Sequence, residues 1–212
     1  MALGIGWGMA RIQCGGRERG DTLTTPDTSP TANQESPWGA VPETAIRPAL
    51  PADGREVARV LLEAYEAAWG PSGWEDYRVE VGDTASRMRD SIVLVAESGA
   101  LVVGTVTIVP PTSRLASGLG PCTAEVRMLA VVPSRQGRGT GEALMRAGAG
   151  LAQRLGLEEM ALHCDDDLRP AHRLYGRLGF LRDPASDRWV GPDMMARAYR
   201  RMLPLPPPPS YP

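Results

Sequence analysis

The 212-residue chain is 42% apolar with a formal net charge of -2, enough for one cored domain with tails and no sign of a nucleic-acid-binding surface. No run of about 18 apolar residues is present, and the start Met1–Ala10 is Gly-broken without a basic lead, so a cytoplasmic protein with no membrane partner is expected. All 23 basic residues are arginine, which excludes a P-loop lysine and lysine Schiff-base chemistry.

Residues 1–43 are rich in Gly, Thr, Ser and Pro without a sustained apolar period and read as a disordered leader. Residues 44–203 read as one domain, and 204–212 as an extended proline-rich tail. Within the domain, Thr44 to Arg47 reads as a strand ended by Pro48. Asp53 with Glu56 reads as a capping box opening a helix with the stripe Val57, Val60, Leu61, Ala64 and Ala68. Glu75 to Arg89 is a weaker helical region containing Gly82. Ser91 to Glu97 and Leu101 to Val109 flank Ser98-Gly99-Ala100 as a hairpin, and a Pro/Gly/Ser loop leads to a strand over Ala124 to Val132.

A loop, Gln136-Gly137-Arg138-Gly139-Thr140-Gly141, then precedes a helix over Glu142 to Leu155. Its glycines permit close backbone approach, and the helix start directs unpartnered N–H groups and partial positive charge at one spot. That combination binds phosphate. The helix carries Leu144, Ala147, Leu151 and Leu155 on one stripe, with Gly156 placed to end it. Gly148 and Gly150 cost about 1 kcal/mol each against alanine, which predicts close packing on a sheet. Glu159 to His163 follows as a strand, Pro170 to Leu178 as a helix, and Phe180 to Arg182 and Met194 to Met202 as strands. This order gives an α/β fold with a mixed sheet, not a doubly wound one. The spacing Gly137-x-Gly139-x-Gly141 also departs from the dinucleotide fingerprint.

Three cysteines (Cys14, Cys122, Cys164) without a CxxC spacing read as reduced thiols, not as a disulfide framework or zinc site. His163 and His172 are unsupported as metal ligands, so no metal is expected. Asp165-Asp166-Asp167 is either a carboxylate cluster attracting a cationic substrate or a solvated turn whose last Asp caps the next helix.

Taken together, these pieces resemble the GNAT-superfamily N-acetyltransferases. Gln136-x-x-Gly139-x-Gly141 is similar to the family's acetyl-CoA signature and follows the strand Glu125 to Val131. Ala171-His-Arg-Leu-Tyr175-Gly-Arg-Leu-Gly-Phe180 resembles the family's ending, and Ile46-Arg47-Pro48-Ala49 its opening. The resemblance covers roughly residues 44–203. It implies a mixed, mostly antiparallel central sheet flanked by helices, with a V-shaped splay between two central strands. It further implies acetyl-CoA as acyl donor, its pyrophosphate on the N–H groups of Gly137 through Gly141, with Gln136, Arg138, Thr140, Glu142 and Ala171 close by. The backbone of Leu129, Ala130 and Val131 would pair with the pantetheine arm, and the Leu129 N–H would face the thioester carbonyl.

On the same resemblance Tyr175 protonates the leaving thiolate, or else its ring simply packs on the sheet. Glu125 is the general base, or else an ion-pair partner of Arg127 while a water takes the proton. The acceptor is a primary amine, of a small molecule or a peptide N-terminus, and homodimers are frequent in the family. Its pocket would draw on Tyr65, Trp69, Trp74, Tyr77 and the loop Pro110 to Cys122. Leu168 stands where the family often carries an asparagine on the cofactor arm. A catalytically silent acetyl-CoA-binding regulatory module is the alternative.

Overall fold

A computed structural model describes Ile12, Cys14 and residues 40–41, 44–72, 74–190 and 194–207. Apolar, β-branched runs build the central strands: β3 (Ile92–Ser98), β4 (Leu101–Val109) and β5 (Thr123–Val131). Before them stand β1 (Ala40–Val41) and β2 (Thr44–Pro48), and after them β6 (Glu159–Asp165), β7 (Leu181–Arg182), β8 (Arg188–Trp189) and β9 (Met195–Met202). Among the described residues they form one nine-stranded sheet in the order β1-β2-β3-β4-β5-β6-β9-β7, with β8 on β9. Every pairing is antiparallel except β5 with β6. A parallel neighbour requires a crossover, which the helix α4 (Thr140–Arg154) supplies.

The remaining helices are α1 (Gly54–Trp69), α2 (Glu75–Gly82), α3 (Thr84–Asp90) and α5 (Arg169–Arg177). The stripe expected for α1 is buried at Val57, Val60, Leu61 and Ala64. Its expected capping box does not form. Asp53 instead accepts from the Arg47 guanidinium at 2.6 and 3.0 Å and from the Leu50 N–H at 2.6 Å, and the Arg47 bonds hold its carboxyl below the usual range. Asp53 itself sits in helical geometry at φ -76° and ψ -9°, so its carboxylate faces back to Arg47 and Leu50 and not forward to the first turn of α1. The region 75–89 also divides in two, because Asp83 leaves helical geometry and its carboxylate caps α3 through the Ser86 N–H. Arg87, only 5% exposed, ties the two helices together by donating to the carbonyls of Glu80 and Val81 at the end of α2.

Helix α4 lies on the sheet with Leu144, Met145 and Leu151 fully buried. The close packing expected at its glycines holds for Gly148, where a Cβ would come within 2.7 Å of Ile108 Cδ1, and not for Gly150, which faces only the flexible Arg154. Gly104 on β4 is the glycine that sets the helix start. A Cβ there would stand 3.0 Å from Leu144, 3.2 Å from the Ala130 carbonyl and 3.3 Å from Thr140. Gly104→Val is therefore expected to lift the start of α4 and cost about 1–3 kcal/mol, read by urea unfolding.

Most of the stretch read as a leader lies outside the described residues, as does the end of the tail. Four of its positions are placed: Ala40 and Val41 form β1, the Ile12 N–H donates to the Leu155 carbonyl at 3.1 Å, and Cys14 forms a disulfide with Cys122. The reading of three reduced thiols is thereby corrected. The pairing follows from proximity in the fold, Cα to Cα 5.5 Å, between residues 108 apart, and no local spacing signals it. Cys164 alone is free, and burial pushes its thiol up to about 12. At the other end Arg146 holds the Pro206 carbonyl, and Leu203 and Leu205 pack on the core. No helix of the described residues is long and apolar enough to cross a membrane.

Candidate active site

The site begins with an irregularity in β5. Arg127 pairs with Thr107 and Ala130 with Thr105, so Met128 and Leu129 together oppose the single residue Val106. This is a β-bulge, and Met128 takes a positive φ of 52° to make it. The bulge turns β5 away from β6. Their parallel ladder runs from Thr123–Glu159 to Val126–Leu162 and stops there, although both strands continue. A V-shaped splay opens, as the family resemblance implied. Along it Leu129, Ala130 and Val131 keep one strand neighbour at most, which leaves their other edge without a strand partner.

The bulge also inverts parity. Ile108 packs at α4 and pairs with Val126, so Glu125 and Arg127 point to the opposite face of the sheet. Beyond the bulge Val131 pairs with Gly104, which lies under α4, and so faces the helix.

At the wide end stands the glycine loop. Gly137 and Gly139 have φ of 73° and 85°, conformations that disfavour any side chain, and α4 starts at Thr140. The first helical bond runs from the Ala143 N–H to the Gly139 carbonyl. Among the described residues none of the N–H groups of Gly137, Arg138, Gly139, Thr140, Gly141 and Glu142 has an acceptor. Gln136 acts differently from its neighbours: its side-chain amide donates to the Val131 carbonyl at 2.9 Å, which pins the loop to the strand. Arg138 is exposed, and the Glu142 carboxylate is taken by Arg146 at 2.8 Å. Ala171, in the first turn of α5, packs half-buried against the core.

Tyr175 packs through its ring, as one of its two expected readings has it. It is 6% exposed, its ring stands 5.8 Å from Phe180 and 5.9 Å from Tyr199, and its hydroxyl makes no hydrogen bond among the described residues. Burial, then Cys164 and Tyr199, raises its pKa above the usual tyrosine value, so the hydroxyl stays protonated. Nearby, His172 is bound at both ring nitrogens, to the Tyr199 hydroxyl at 2.7 Å and the Asp165 carbonyl at 2.9 Å.

On the opposite face Glu125 is 3% exposed, and its oxygens accept from Arg127 Nε at 2.8 Å and from the Ser117 N–H and hydroxyl at 3.0 and 3.1 Å. It forms the floor of a cavity of about 300 Å³ lined also by Val109, Ser117, Gly118 and Thr123. The aspartates are a salt-bridged turn: Asp166 pairs with Arg197, and Asp167 does not cap α5, which begins on Leu168 without a side-chain cap. Tyr65, Trp69, Trp74 and Tyr77 form one aromatic cluster between α1 and α2, Tyr65 stacked on Tyr77 and edge-on to Trp74, with Tyr65 and Trp74 buried. The ion pair with Arg127 is the one the sequence offered for Glu125, and Ser117 is the partner it missed. Alternation along β5 puts Arg127 on the Glu125 face, whereas Ser117 comes from a loop with no pattern. Among the described residues no three metal-ligating side chains gather.

Known proteins bear on this geometry. The family described as Acetyltransferase (GNAT) family matches residues 55–180. The mycothiol acetyltransferase of Pseudarthrobacter chlorophenolicus is 34% identical over 160 residues, which cover 72% of this chain and 47% of that protein. The chain thus spans about half the length of the curated relatives it matches. Among solved structures, an acetyltransferase of the GNAT family from Staphylococcus aureus Mu50 superposes with a TM-score of 0.59 at 15% identity, over 76% of this chain and 99% of that one. The PaiA N-acetyltransferase of Thermoplasma acidophilum, solved in complex with coenzyme A, gives 0.58 at 15% identity over 73% and 97%. At such identities the likeness is one of fold.

Proposed function

The chain belongs to the acetyltransferase (GNAT) family, and from that premise we propose that it moves an acetyl group from acetyl-CoA to a primary amine. The observation that carries this reading is the crescent of six N–H groups, Gly137 through Glu142, beside the edge of β5 that lacks a strand partner. A helix start with open amides suits a pyrophosphate, and a free strand edge suits the amides of a pantetheine arm. Bound acetyl-CoA supplies the activated thioester. The Leu129 N–H, freed by the bulge, faces the oxygen on which negative charge develops, and Tyr175 gives its proton to the departing sulfur. Glu125, already engaged by Arg127 and two Ser117 donors, orders the acceptor-side loop.

The acceptor is a small-molecule amine or a peptide N-terminus. Because the curated relatives carry mycothiol in their name, a mycothiol-type acceptor belongs first in any panel. The test is thiol release from acetyl-CoA with such a panel, beside calorimetric binding of acetyl-CoA. Turnover with an amine supports the proposal. Binding without turnover for every amine favours a silent acetyl-CoA-binding module, and no binding refutes both. Gly139→Val serves as the control for the crescent: a side chain at φ 85° forces the loop out of place, so acetyl-CoA affinity is expected to fall at least about tenfold while circular dichroism is unchanged.

A further inference from the structure

We propose that His163 is a catalytic residue of this site, its Nδ1 taking the proton of the acceptor amine directly or through one water. The inference rests on the acetyl-transfer reading and assigns its missing base. Attack by a neutral amine forms an N–C bond and breaks the C–S bond. One proton must leave the nitrogen as the sulfur collects another from Tyr175. Glu125 is poorly placed for this, since its oxygens already face a guanidinium and two Ser117 donors.

His163 differs in each respect. It sits on β6 one residue past the last pair of the ladder, Val126–Leu162, at the point where the strands part. Ala161 lies beside Glu125, and alternation places His163, two residues on, on the same face. Its Nε2 lies 2.9 Å from the Ser186 carbonyl. A carbonyl only accepts, so Nε2 carries the hydrogen, and in the neutral ring Nδ1 is a bare lone pair. That atom is buried and has no partner among the described residues. An enclosed, unsatisfied acceptor is destabilising, and the amine arriving on this face brings N–H donors. The tautomer is thus set by Ser186 and the basic nitrogen is left over.

The charged groups around the ring are Glu125 and Arg127 on β5 and Arg188 on β8, while Arg200 on β9 is committed to Glu159 and Asp183. Burial lowers the pKa of His163; the Ser186 hydrogen bond and Glu125 oppose it, Arg188 and Arg127 add to it, and the net direction is downward, so the ring is neutral and able to accept at physiological pH. After transfer the imidazolium returns its proton to solvent as the Tyr175 phenolate regains one, and the protein is restored.

His163→Gln keeps an amide donor for Ser186 and removes the basic nitrogen. We expect kcat/KM for the amine to fall about 10²–10³-fold, acetyl-CoA affinity to stay within about twofold, and the acidic limb of the pH profile to vanish. His163→Ala should regain activity with added imidazole. Activity of His163→Gln within about threefold of wild type, with the acidic limb intact, overturns the assignment and leaves acetyl transfer standing. A wild type that releases no thiol with any amine removes both. Should His163→Gln fail to bind acetyl-CoA, ¹⁵N shifts of the wild-type ring decide instead. A titration of Nδ1 that matches the acidic limb supports the assignment, and a mismatch overturns it.

Discussion

Tyr175→Phe is expected to lower kcat for acetyl transfer by about 10²–10³-fold while the Kd for acetyl-CoA changes less than about twofold. The substitution removes one oxygen and leaves the ring against Phe180 and Tyr199, so packing is kept. Thiol release and calorimetry on the same preparation separate the two effects. An equal loss of binding would mean that Tyr175 shapes the cleft and does not donate. The raised pKa adds a second mark. Because the folded hydroxyl keeps its proton above the pH at which a free tyrosine loses it, turnover should show no alkaline limb from Tyr175 near pH 10. Stability has the opposite sense. Above about pH 10 the unfolded chain sheds the proton that the folded chain retains, so the fold weakens as pH rises further.

Breaking the Cys14–Cys122 bond has the largest expected effect on stability. It closes a loop between residues 108 apart, and the chain-entropy account gives about 3–5 kcal/mol for such a length. Urea unfolding with and without a reductant measures the difference. Cys14→Ser should match the reduced wild type and be indifferent to reductant, whereas Cys164→Ser should keep the full redox response. Equal stability of reduced and oxidised protein would show that the N-terminal segment adds nothing to the domain, leaving the domain to begin near Thr44, as its sequence first suggests.

The glycine loop and the helix α5 were legible as local structure because their patterns are contiguous. Gln136 through Gly141 and Ala171 through Phe180 are contiguous, and each glycine answers a backbone demand that the structure bears out at Gly137 and Gly139. The strand Leu101–Val109 was also bounded correctly, since a buried antiparallel strand between turn residues has an unambiguous pattern. What stayed hidden depends on distant residues. Asp53 turns to Arg47 and does not cap α1, the disulfide joins the leader to the residue before β5, and Ser117 reaches Glu125 from a patternless loop. His163 was passed over because a lone histidine on a strand carries no spacing. Its interest arises only from where β5 and β6 part and from the carbonyl that Ser186 presents.

The bulge at Met128 and Leu129 has a further implication for how such a chain can change. It divides β5 into two reading phases, with Glu125 and Arg127 facing the acceptor side and Val131 facing α4. Substitution within either phase alters one side chain at a time. Loss of a single residue between them would restore an unbroken ladder and rotate one whole phase by half a turn, exchanging the faces of everything on it. The two halves of the site can therefore drift independently by point substitution. Their junction tolerates no change of length, and a scan of single-residue deletions along β5 should find its sharpest loss of activity there.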